Sequence, residues 1–126
     1  MKPITRTNRT KLNRLPARVN YDREVIHSII DEAIICHVAF IEDGSPFVIP
    51  TAIMRQGENV YLHGNSQSRM LQHLGLGHEA CISVTHVDGM VLARSGFHSS
   101  INYRSVSLFG RGHLVEGNEK IQLLDD

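Results

Sequence analysis

The chain has 126 residues, 41% of them hydrophobic, and its 13 Lys and Arg residues equal its 13 Asp and Glu residues in number. These values are typical of a single globular domain. A balanced charge argues against a general nucleic-acid surface, which needs an excess of basic residues. The sequence contains no run of 18 or more apolar residues, so no membrane span is expected. No apolar stretch follows a positively charged start, as it would in a secretory signal.

The two cysteines, Cys36 and Cys81, lie far apart in separate apolar runs. Their spacing matches neither a C-x-x-C motif nor a disulfide framework. We therefore expect buried, reduced thiols and a cytoplasmic protein.

The first 18 residues form a basic segment without an acidic residue. Its basic residues are Lys2, Arg6, Arg9, Lys11, Arg14 and Arg18. A segment rich in Arg and Thr is compatible with a transit peptide, but Pro3 and Pro16 interrupt it and it has no amphipathic period. We interpret residues 1–18 as a solvated arm and residues 19–126 as one domain.

Residues 21–33 predict the first helix. Asp22 is a suitable N-cap, because its carboxylate can accept hydrogen bonds from the first free N–H groups of a helix. Apolar residues then recur at helical spacing on one face. They are Val25, Ile26, Ile29, Ile30 and Ala33.

Three short strands are expected next. Residues 34–42 are apolar and rich in β-branched side chains, and Asp43-Gly44 predicts a tight hairpin because a type I′ turn needs positive φ at both central residues. Residues 46–55 predict the second strand, in which Pro50 indicates an edge or a bulge because it cannot donate to a ladder. A turn at 56–59 leads to the third strand, 60–64.

A second, shorter helix is predicted over residues 66–74. Ser66 is its candidate N-cap, and Met70, Leu71 and Leu74 form an apolar stripe. Gly75 or Gly77 is expected to end it.

The remaining sequence predicts further strands. Residues 80–87 predict a strand that ends in an Asp88-Gly89 turn, with residues 90–97 as its hairpin partner. Residues 102–117 predict a long strand in which Gly110 and Gly112 indicate a bulge or a bend. Residues 118–126 resemble the first turns of a helix that stops early, which indicates a truncated chain or a tail that packs on a partner.

Together these elements amount to about six short antiparallel strands and two helices. Short strands joined by regular turns predict a mainly β domain, either a barrel or a sandwich.

One stretch, residues 62–70, has the features of an anion site. A strand ends at Gly64, which allows close approach of a backbone, and polar residues then open a helix, whose first N–H groups suit a phosphate. Ser66 and Ser68 add hydroxyl donors, and Arg69 offers a bidentate fork for phosphate oxygens. The alternative is that the serines only cap the helix and Arg69 is a surface charge.

Other motifs carry less chemistry. The eight histidines are spread over helices, strands and loops without metal-ligand spacing, so we expect no metal site. Ser95 and His98 lie near each other, but no nucleophile elbow is present and no residue is assigned as catalytic. Arg94 and Arg104 lie beside or inside predicted strands, where each is either an ion-pair partner or a clamp on an anionic ligand.

A set of motifs in order resembles a known family. The chain is similar to the flavin-nucleotide-binding branch of the pyridoxamine 5′-phosphate oxidase-like split barrels, which is related to the nitroimidazole-resistance proteins. The motifs are RLPARVNYDR (14–23), CHVAF (36–40), DGxPxVIPT (43–51), YLHG (61–64), SRML (68–71), DGMVLARS (88–95), and NYRSV with FGRG (102–112).

The resemblance implies a six-stranded antiparallel split β-barrel, with an N-terminal helix and a short helix after the third strand. It also implies a homodimer with two FMN molecules in the dimer clefts. Residues that would line the isoalloxazine edge are Val48, Ile49, Pro50 and Thr51. Residues that would hold the ribityl phosphate are His63, Gly64, Ser68, Arg69 and Met70. Segment 92–95, with Arg94 and Ser95, would border the cleft, and Asn102, Tyr103 and Arg104 would approach it from the second subunit.

The function expected from the resemblance is an FMN-dependent oxidoreductase that takes electrons from a nicotinamide and reduces a small organic acceptor such as a nitro compound. True pyridoxamine-phosphate oxidase activity is not expected, because the basic C-terminal segment that binds pyridoxal phosphate has no counterpart here. Three alternatives remain open: a non-catalytic flavin carrier or sensor, a haem-binding split barrel, and a structural dimer with an empty cleft.

Overall fold

The computed structural model describes residues 22–65, 67–91, 100–115 and 120–125. The basic arm 1–18, Ser66, and the segment with Arg94 and Ser95 lie outside the described residues. No helix in the described part of the chain is long and apolar enough to cross a membrane.

The described residues form a mainly β fold with two helices, as predicted. The elements in chain order are α1 (Arg23–Asp31), β1 (Ile35–Glu42), β2 (Ser45–Gln56), β3 (Asn59–His63), α2 (Arg69–Gly75), β4 (Glu79–Val91), β5 (Ser100–Leu114) and β6 (Lys120–Asp125). All strand pairs are antiparallel, and the order β1-β2-β3-β6-β5-β4 closes into a barrel because β1 also pairs with β4.

Helix α1 begins at its predicted cap. The Asp22 carboxylate accepts a hydrogen bond of 2.8 Å from the N–H of Glu24, which satisfies one of the free donors of the first turn. Ile29 and Ile30 are buried, and Ile26 and Ala33 pack against the core. Val25, by contrast, is 38% exposed.

The first hairpin turns at Asp43-Gly44, as predicted. Asp43 has φ 51° and Gly44 has φ 79°, and Glu42 pairs with Ser45, so two residues with positive φ join β1 to β2. Pro50 lies opposite His37 in an unbroken register, while β3 pairs with β2 only from Ala52 onward. Pro50 is therefore an edge residue rather than a bulge.

The predicted turn at Asp88-Gly89 is wrong. Strand β4 continues through these residues to Val91, and the register with β5 shifts between Val87 and Gly89. One extra residue, Asp88, is thus accommodated as a β-bulge. The Asp88 carboxylate binds Arg104 on β5, and this cross-strand ion pair holds the bulge where the local sequence would favour a turn.

The predicted start of a helix at 118–126 is also wrong. Residues Lys120–Asp125 form β6, which pairs with β3 on one side and β5 on the other. Two ladders of backbone hydrogen bonds outweigh the weak local preference for a helix, because short isolated helices gain little stability from propensity alone.

The sequence predicts a bulge or a bend at Gly110 and Gly112; there is no bulge, because β5 keeps an unbroken register with β4 and then β6 through both residues. Gly112 instead lies against α2. A Cβ atom added to it would be 2.3 Å from the carbonyl oxygen of Leu74. This glycine is required because the helix approaches the strand too closely for a side chain.

The core fills the barrel and extends under both helices. Alternate residues of β1 to β5 point inward, where they are buried or half-buried. Among the described residues, the largest fully buried side chains are Cys36, Val38, Leu62, Leu74, Ile82 and Val84. Helix α1 covers one end of the barrel through β2, β4 and β5, and α2 covers the other end through β5 and β6.

Candidate functional site

The loop between β3 and α2 is fixed by three local hydrogen bonds. The Thr51 hydroxyl donates to the carbonyl oxygen of His63 at 2.9 Å, which ties the end of β3 to β2. The Asn65 side chain accepts from the N–H of Gln67 at 2.8 Å, and the Asn65 carbonyl accepts from the N–H of Ser68 at 2.9 Å. These bonds form a tight turn of the kind that asparagine favours.

The N-cap of α2 is Ser68 rather than Ser66. The Ser68 Oγ accepts a hydrogen bond of 3.1 Å from the N–H of Leu71. The prediction placed the cap two residues too early, because the Asn65 turn delays the start of the helix. The helix ends where Gly77, with φ 93°, donates its N–H to the Leu74 carbonyl, so the predicted stop at Gly77 is confirmed.

Arg69, the first residue of α2, is held against the β1–β2 hairpin. Its Nε lies 3.6 Å from Oε1 of Glu42, and its guanidinium carbon lies 4.4 Å from the ring centroid of Phe47. The first contact is an ion pair and the second is a cation–π contact. Within the described residues, the two terminal nitrogens of Arg69 have no hydrogen-bond partner, and the side chain is 54% exposed.

Glu42 also contacts His73 on the next turn of α2. The Nδ1 of His73 lies 3.3 Å from Oε2 of Glu42, so the two carboxylate oxygens serve two different partners. The His73 ring is buried and stacks between Phe40, at 5.0 Å, and His78, at 4.2 Å. Its Nε2 has no hydrogen-bond partner among the described residues.

A cleft of about 420 Å³ lies beside this cluster, between the hairpin and α2. The residues that line it are Ile41, Glu42, Asp43, Gln72, His73, Leu76 and His78. The cleft opens next to the carboxylate that contacts Arg69.

The predicted flavin-edge residues divide between the two faces of β2. Val48 and Pro50 are exposed on the outside of the barrel, and Val48 is 64% exposed. Ile49 packs against the core, and Thr51 is half-buried and bonded to His63. Only Val48 and Pro50 therefore present their side chains to a ligand outside the barrel.

The predicted phosphate residues lie together around the start of α2. His63 is exposed, and Gly64 lies against Leu71, which a Cβ atom on Gly64 would meet at 3.6 Å. Ser68 and Arg69 follow at the helix start. Met70 is 2% exposed and belongs to the core, so only its backbone is available to a ligand.

Arg104 lies at the opposite end of the barrel. Its Nε and Nη2 donate to the Asp88 carboxylate at 2.9 and 3.0 Å, and its Nη1 binds Glu32 at the end of α1. Its hydrogen bonds to Asp88 and then Glu32 raise the pKa of Arg104. The ion-pair interpretation of this residue is the one the structure supports.

The two ends of the barrel are well separated. His86, which pairs with Arg104, is six residues along β4 from Ala80 at the α2 end, roughly 20 Å at about 3.3 Å per residue. One subunit therefore does not bring Arg104 to Arg69. Asn102 and Tyr103 are exposed, and Tyr103 lies on the outside of the barrel, as do Val48 and Pro50.

The chemistry of the donor set at α2 suits a phosphate group. Ser68 accepts from Leu71 with a lone pair, which leaves its own proton free to donate. Arg69 offers two charged donors from its terminal nitrogens, and such donors make the stronger hydrogen bonds to phosphate. The residues present at this end of the barrel therefore fit the phosphate of a nucleotide.

The histidines and cysteines of the described residues show no metal site, since no group of three or more His, Cys, Asp or Glu side chains could hold an ion. The Nε2 of His86 donates a 2.8 Å hydrogen bond to the carbonyl oxygen of Ile29, whereas His37 is exposed on the outside of β1. Both cysteines are free; Cys36 is buried as expected, and Cys81 is only half-buried.

Glu42, Phe47 and Asn65 contribute to the site but were not predicted from the sequence. Alternation along β1 would have placed Glu42 on the same side as Phe40, and the hairpin register would have placed Phe47 opposite Phe40. The contacts of Glu42 and Phe47 with α2 depend on tertiary packing, whereas the Asn65 turn is local and the asparagine itself was its signal.

The fold and the site define a small antiparallel β-barrel protein with a candidate phosphate site at one end of the barrel. Residues 22–126 match the family described as pyridoxamine 5′-phosphate oxidase, and the chain belongs to this family. No curated protein gave a significant sequence match.

Several solved structures are similar to the chain. The flavocytochrome Anf3 from Azotobacter vinelandii is 37% identical, with a TM-score of 0.78, over 87% of this chain and 51% of that one. The FAD and heme binding protein from Mycobacterium smegmatis is 39% identical, with a TM-score of 0.70, over 74% and 45%. The chain thus spans about half the length of these two proteins.

A third structure has a different description. A 5-nitroimidazole antibiotic resistance protein from Bacteroides thetaiotaomicron is 26% identical, with a TM-score of 0.60, over 77% of this chain and 58% of that one. The three structures agree with the family resemblance drawn from the sequence motifs.

Proposed function

We propose that this protein is a flavoprotein that binds FMN on a six-stranded split barrel, with the flavin phosphate at the start of α2. The observation that carries the proposal is the placement of Ser68 and Arg69 at the end of the Asn65 turn, with the terminal nitrogens of Arg69 unpaired in the described residues. Support comes from two similar proteins described as a flavocytochrome and as a FAD and heme binding protein.

The flavin ring in this proposal lies along the outside of β2. Val48 and Pro50 are exposed there and offer an apolar surface, and the loop tied by Thr51 and His63 leads directly to Ser68 and Arg69. This arrangement lets one ligand contact both the strand and the helix start.

The proposed assembly is a homodimer formed by the outside of the barrel. Antiparallel strands of a soluble barrel usually carry polar residues on their outer face, yet the outer face here carries exposed apolar side chains. They include Ile35, Ile41, Val48, Met54, Val87 and Tyr103, each more than 50% exposed. A second subunit would cover this surface and bring its own Tyr103 and Arg104 toward the flavin.

The proposed reaction is a two-electron transfer. A flavin held by Ser68 and Arg69 and lying along Val48 and Pro50 would supply two-electron redox chemistry between a reduced nicotinamide as donor and a small organic acceptor. The 26% identity to a 5-nitroimidazole antibiotic resistance protein favours a nitro compound as the acceptor. The protein supplies binding and orientation, while the flavin supplies the redox chemistry.

The test is flavin binding by the purified protein. We expect a retained flavin absorption spectrum after FMN is added and the excess removed, and chromatography of the released cofactor separates FMN from FAD. Arg69→Ala should weaken FMN binding by about 1.5–3 kcal/mol, the usual value of a hydrogen bond to a charged group. Arg111→Ala, which removes another exposed arginine, is the matched control. A protein that stays colourless would refute the proposal.

Oxidation of NADH or NADPH by the FMN-loaded protein, with and without a nitroimidazole, then separates an oxidoreductase from a carrier or sensor. A flavin that is bound but never reduced would support the non-catalytic alternative.

A haem site is the second candidate, because the two proteins with 37% and 39% identity are described as a flavocytochrome and as a FAD and heme binding protein. Titration with haemin would produce a Soret band if this chain binds haem by itself. The cytoplasmic location stays a prediction, based on the two free cysteines.

A further inference from the structure

The Glu42 carboxylate stands at the centre of the cluster that holds Arg69. One oxygen contacts Arg69 Nε at 3.6 Å, and the other contacts His73 Nδ1 at 3.3 Å. His73 is itself fixed, since it is buried and stacked between Phe40 and His78. Glu42 is therefore anchored on a rigid part of the core, and its contact with Arg69 restricts the conformations of the arginine side chain.

The second restraint on Arg69 is the ring of Phe47. The guanidinium carbon lies 4.4 Å from the ring centroid, and Phe47 in turn stacks on Phe40 at 5.5 Å. Glu42 holds the Nε edge of the guanidinium while Phe47 holds one of its faces. The edge formed by the two terminal nitrogens is left for another group, and no partner occupies it in the described residues.

An arginine side chain normally loses much rotational freedom when it binds an anion. If the arginine is already restrained before the ligand binds, less rotational freedom is lost on binding. The affinity for the ligand then increases without a new contact. The same carboxylate would instead weaken anion binding if it merely neutralised Arg69. The anchoring of Glu42 by His73 favours the first effect, because an anchored carboxylate fixes the arginine edge it contacts and leaves the other edge free.

We propose that Glu42 and Phe47 are positioning residues that preorganise Arg69 as a fork for the phosphate of the flavin nucleotide. This inference rests on the proposed function, because it assumes that Arg69 binds that phosphate. Glu42 and Phe47 themselves need not touch the ligand.

The experiment compares FMN with riboflavin, which lacks the phosphate. The ratio of their dissociation constants isolates the contribution of the phosphate and is insensitive to changes that affect the ring site. Both constants are measured by quenching of flavin fluorescence for the unsubstituted protein and for Glu42→Gln, Phe47→Leu, Arg69→Ala and Asp43→Asn. Thermal unfolding checks that each variant is folded.

Asp43→Asn is the matched control for Glu42→Gln. Both changes remove one negative charge from the same hairpin, and asparagine tolerates the positive φ of Asp43. A general electrostatic effect of the lost charge would appear equally in both variants. Of these two carboxylates, only that of Glu42 contacts Arg69 and His73 in the described residues.

We expect Glu42→Gln and Phe47→Leu each to reduce the preference for FMN by about two- to tenfold, the cost of ordering one long side chain. Riboflavin affinity should stay unchanged, and Asp43→Asn should not reduce the preference. In the Arg69→Ala background, Glu42→Gln should have no further effect on the ratio, because its role passes through Arg69.

Three outcomes would overturn the proposal. If Glu42→Gln increases the preference for FMN, the Glu42 carboxylate competes with the phosphate for Arg69. Equal weakening of FMN and riboflavin would make its role structural. If Glu42→Gln lowers the preference for FMN even in the Arg69→Ala background, Glu42 acts independently of Arg69. If Arg69→Ala leaves the ratio unchanged, the phosphate site itself is wrong, and that result identifies a failure of the proposed function.

Discussion

Gly112 lies directly beneath the last turn of α2, where a methyl group on its Cα would be 2.3 Å from the carbonyl oxygen and 2.7 Å from the Cβ of Leu74. These distances are far shorter than van der Waals contact, and the obstacle is partly backbone, so the helix and not only a side chain must move. The position of α2 on the barrel therefore depends on a residue some forty positions later in the chain.

Gly112→Ala is expected to lower the free energy of unfolding by about 1–3 kcal/mol, the usual cost of overpacking. It should also weaken FMN binding, because α2 carries Ser68 and Arg69. Chemical denaturation and flavin titration measure the two effects. Gly89→Ala is the control, since a Cβ atom there meets nothing within 4 Å, and it should change stability by less than about 0.5 kcal/mol. Equal effects of the two substitutions would contradict the packing argument.

The ion pair between Asp88 and Arg104 predicts a pH dependence of stability. The hydrogen bond from Arg104 is the main cause that lowers the pKa of Asp88. A carboxyl group whose pKa is lowered in the folded state contributes stability above its unfolded pKa, and that contribution is lost as the pH falls through the folded pKa. The stabilisation should therefore be present at neutral pH and disappear below the usual range of aspartate.

Asp88→Asn tests this dependence. The variant should unfold at a lower temperature than the unsubstituted protein at pH 7, and the difference should shrink as the pH is lowered below about 4. Asp43→Asn serves as control, because the Asp43 carboxylate has no ion-pair partner in the part of the chain that is described. A difference between Asp88→Asn and the unsubstituted protein that is constant with pH would show that the bulge does not depend on the charge of Asp88.

The two Asp-Gly pairs show how far local sequence determines this fold. Asp43-Gly44 forms the predicted turn: Asp43 has no ion-pair partner among the described residues, and Glu42 and Ser45 pair directly across the turn. Asp88-Gly89 has the same local signal, but Arg104 holds the aspartate within a long strand. A turn motif is decisive only where the flanking residues have no stronger partner elsewhere in the chain.

The candidate site was predictable to a similar extent. The serine, arginine and glycine residues around α2 are recognisable in order along the chain, and the structure places Gly64, Ser68 and Arg69 close together. The contacts of Glu42 and Phe47 with Arg69 were not predictable, because they join the β1–β2 hairpin to a helix that follows β3. Strand β6 was also missed, since its pairing with β3 and β5 is determined by distant residues.

Ser68 has two separable roles in the proposed site. Ser68→Ala removes the N-cap of α2 and should lower the free energy of unfolding by about 0.5–2 kcal/mol. Ser68→Asp keeps a capping oxygen and should retain most of that stability, but it places a negative charge beside the proposed phosphate. We expect it to weaken FMN binding much more than riboflavin binding. Denaturation and flavin titration of the two variants separate the roles, and FMN binding unaffected by Ser68→Asp would place the phosphate elsewhere.

The buried Cys36 thiol should make the free energy of unfolding fall at alkaline pH. Burial raises the pKa of the Cys36 thiol to about 11, above its value of about 9 in an unfolded chain. A group whose pKa is raised in the folded state stabilises the protein fully below the unfolded pKa, and this contribution is lost as the pH rises toward the folded pKa. The unsubstituted protein should therefore lose more stability between pH 9 and 11 than Cys36→Ala does. Parallel curves for the two proteins would show that the thiol is not protected.

The apolar outer face of the barrel predicts the effect of a charge on assembly. Val48 and Met54 are 64% and 57% exposed on β2, and a second subunit would bury them. Val48→Asp should weaken the dimer by at least about tenfold, because an unpaired carboxylate buried in an interface costs several kcal/mol. Analytical ultracentrifugation over a range of concentrations measures the change, and thermal unfolding confirms the fold. Gln72→Asp, an exposed position on α2, should leave the assembly unchanged. If Val48→Asp and the unsubstituted protein sediment identically, this face is not the subunit interface, and a flavin bound along β2 would then lie on the surface of a single subunit.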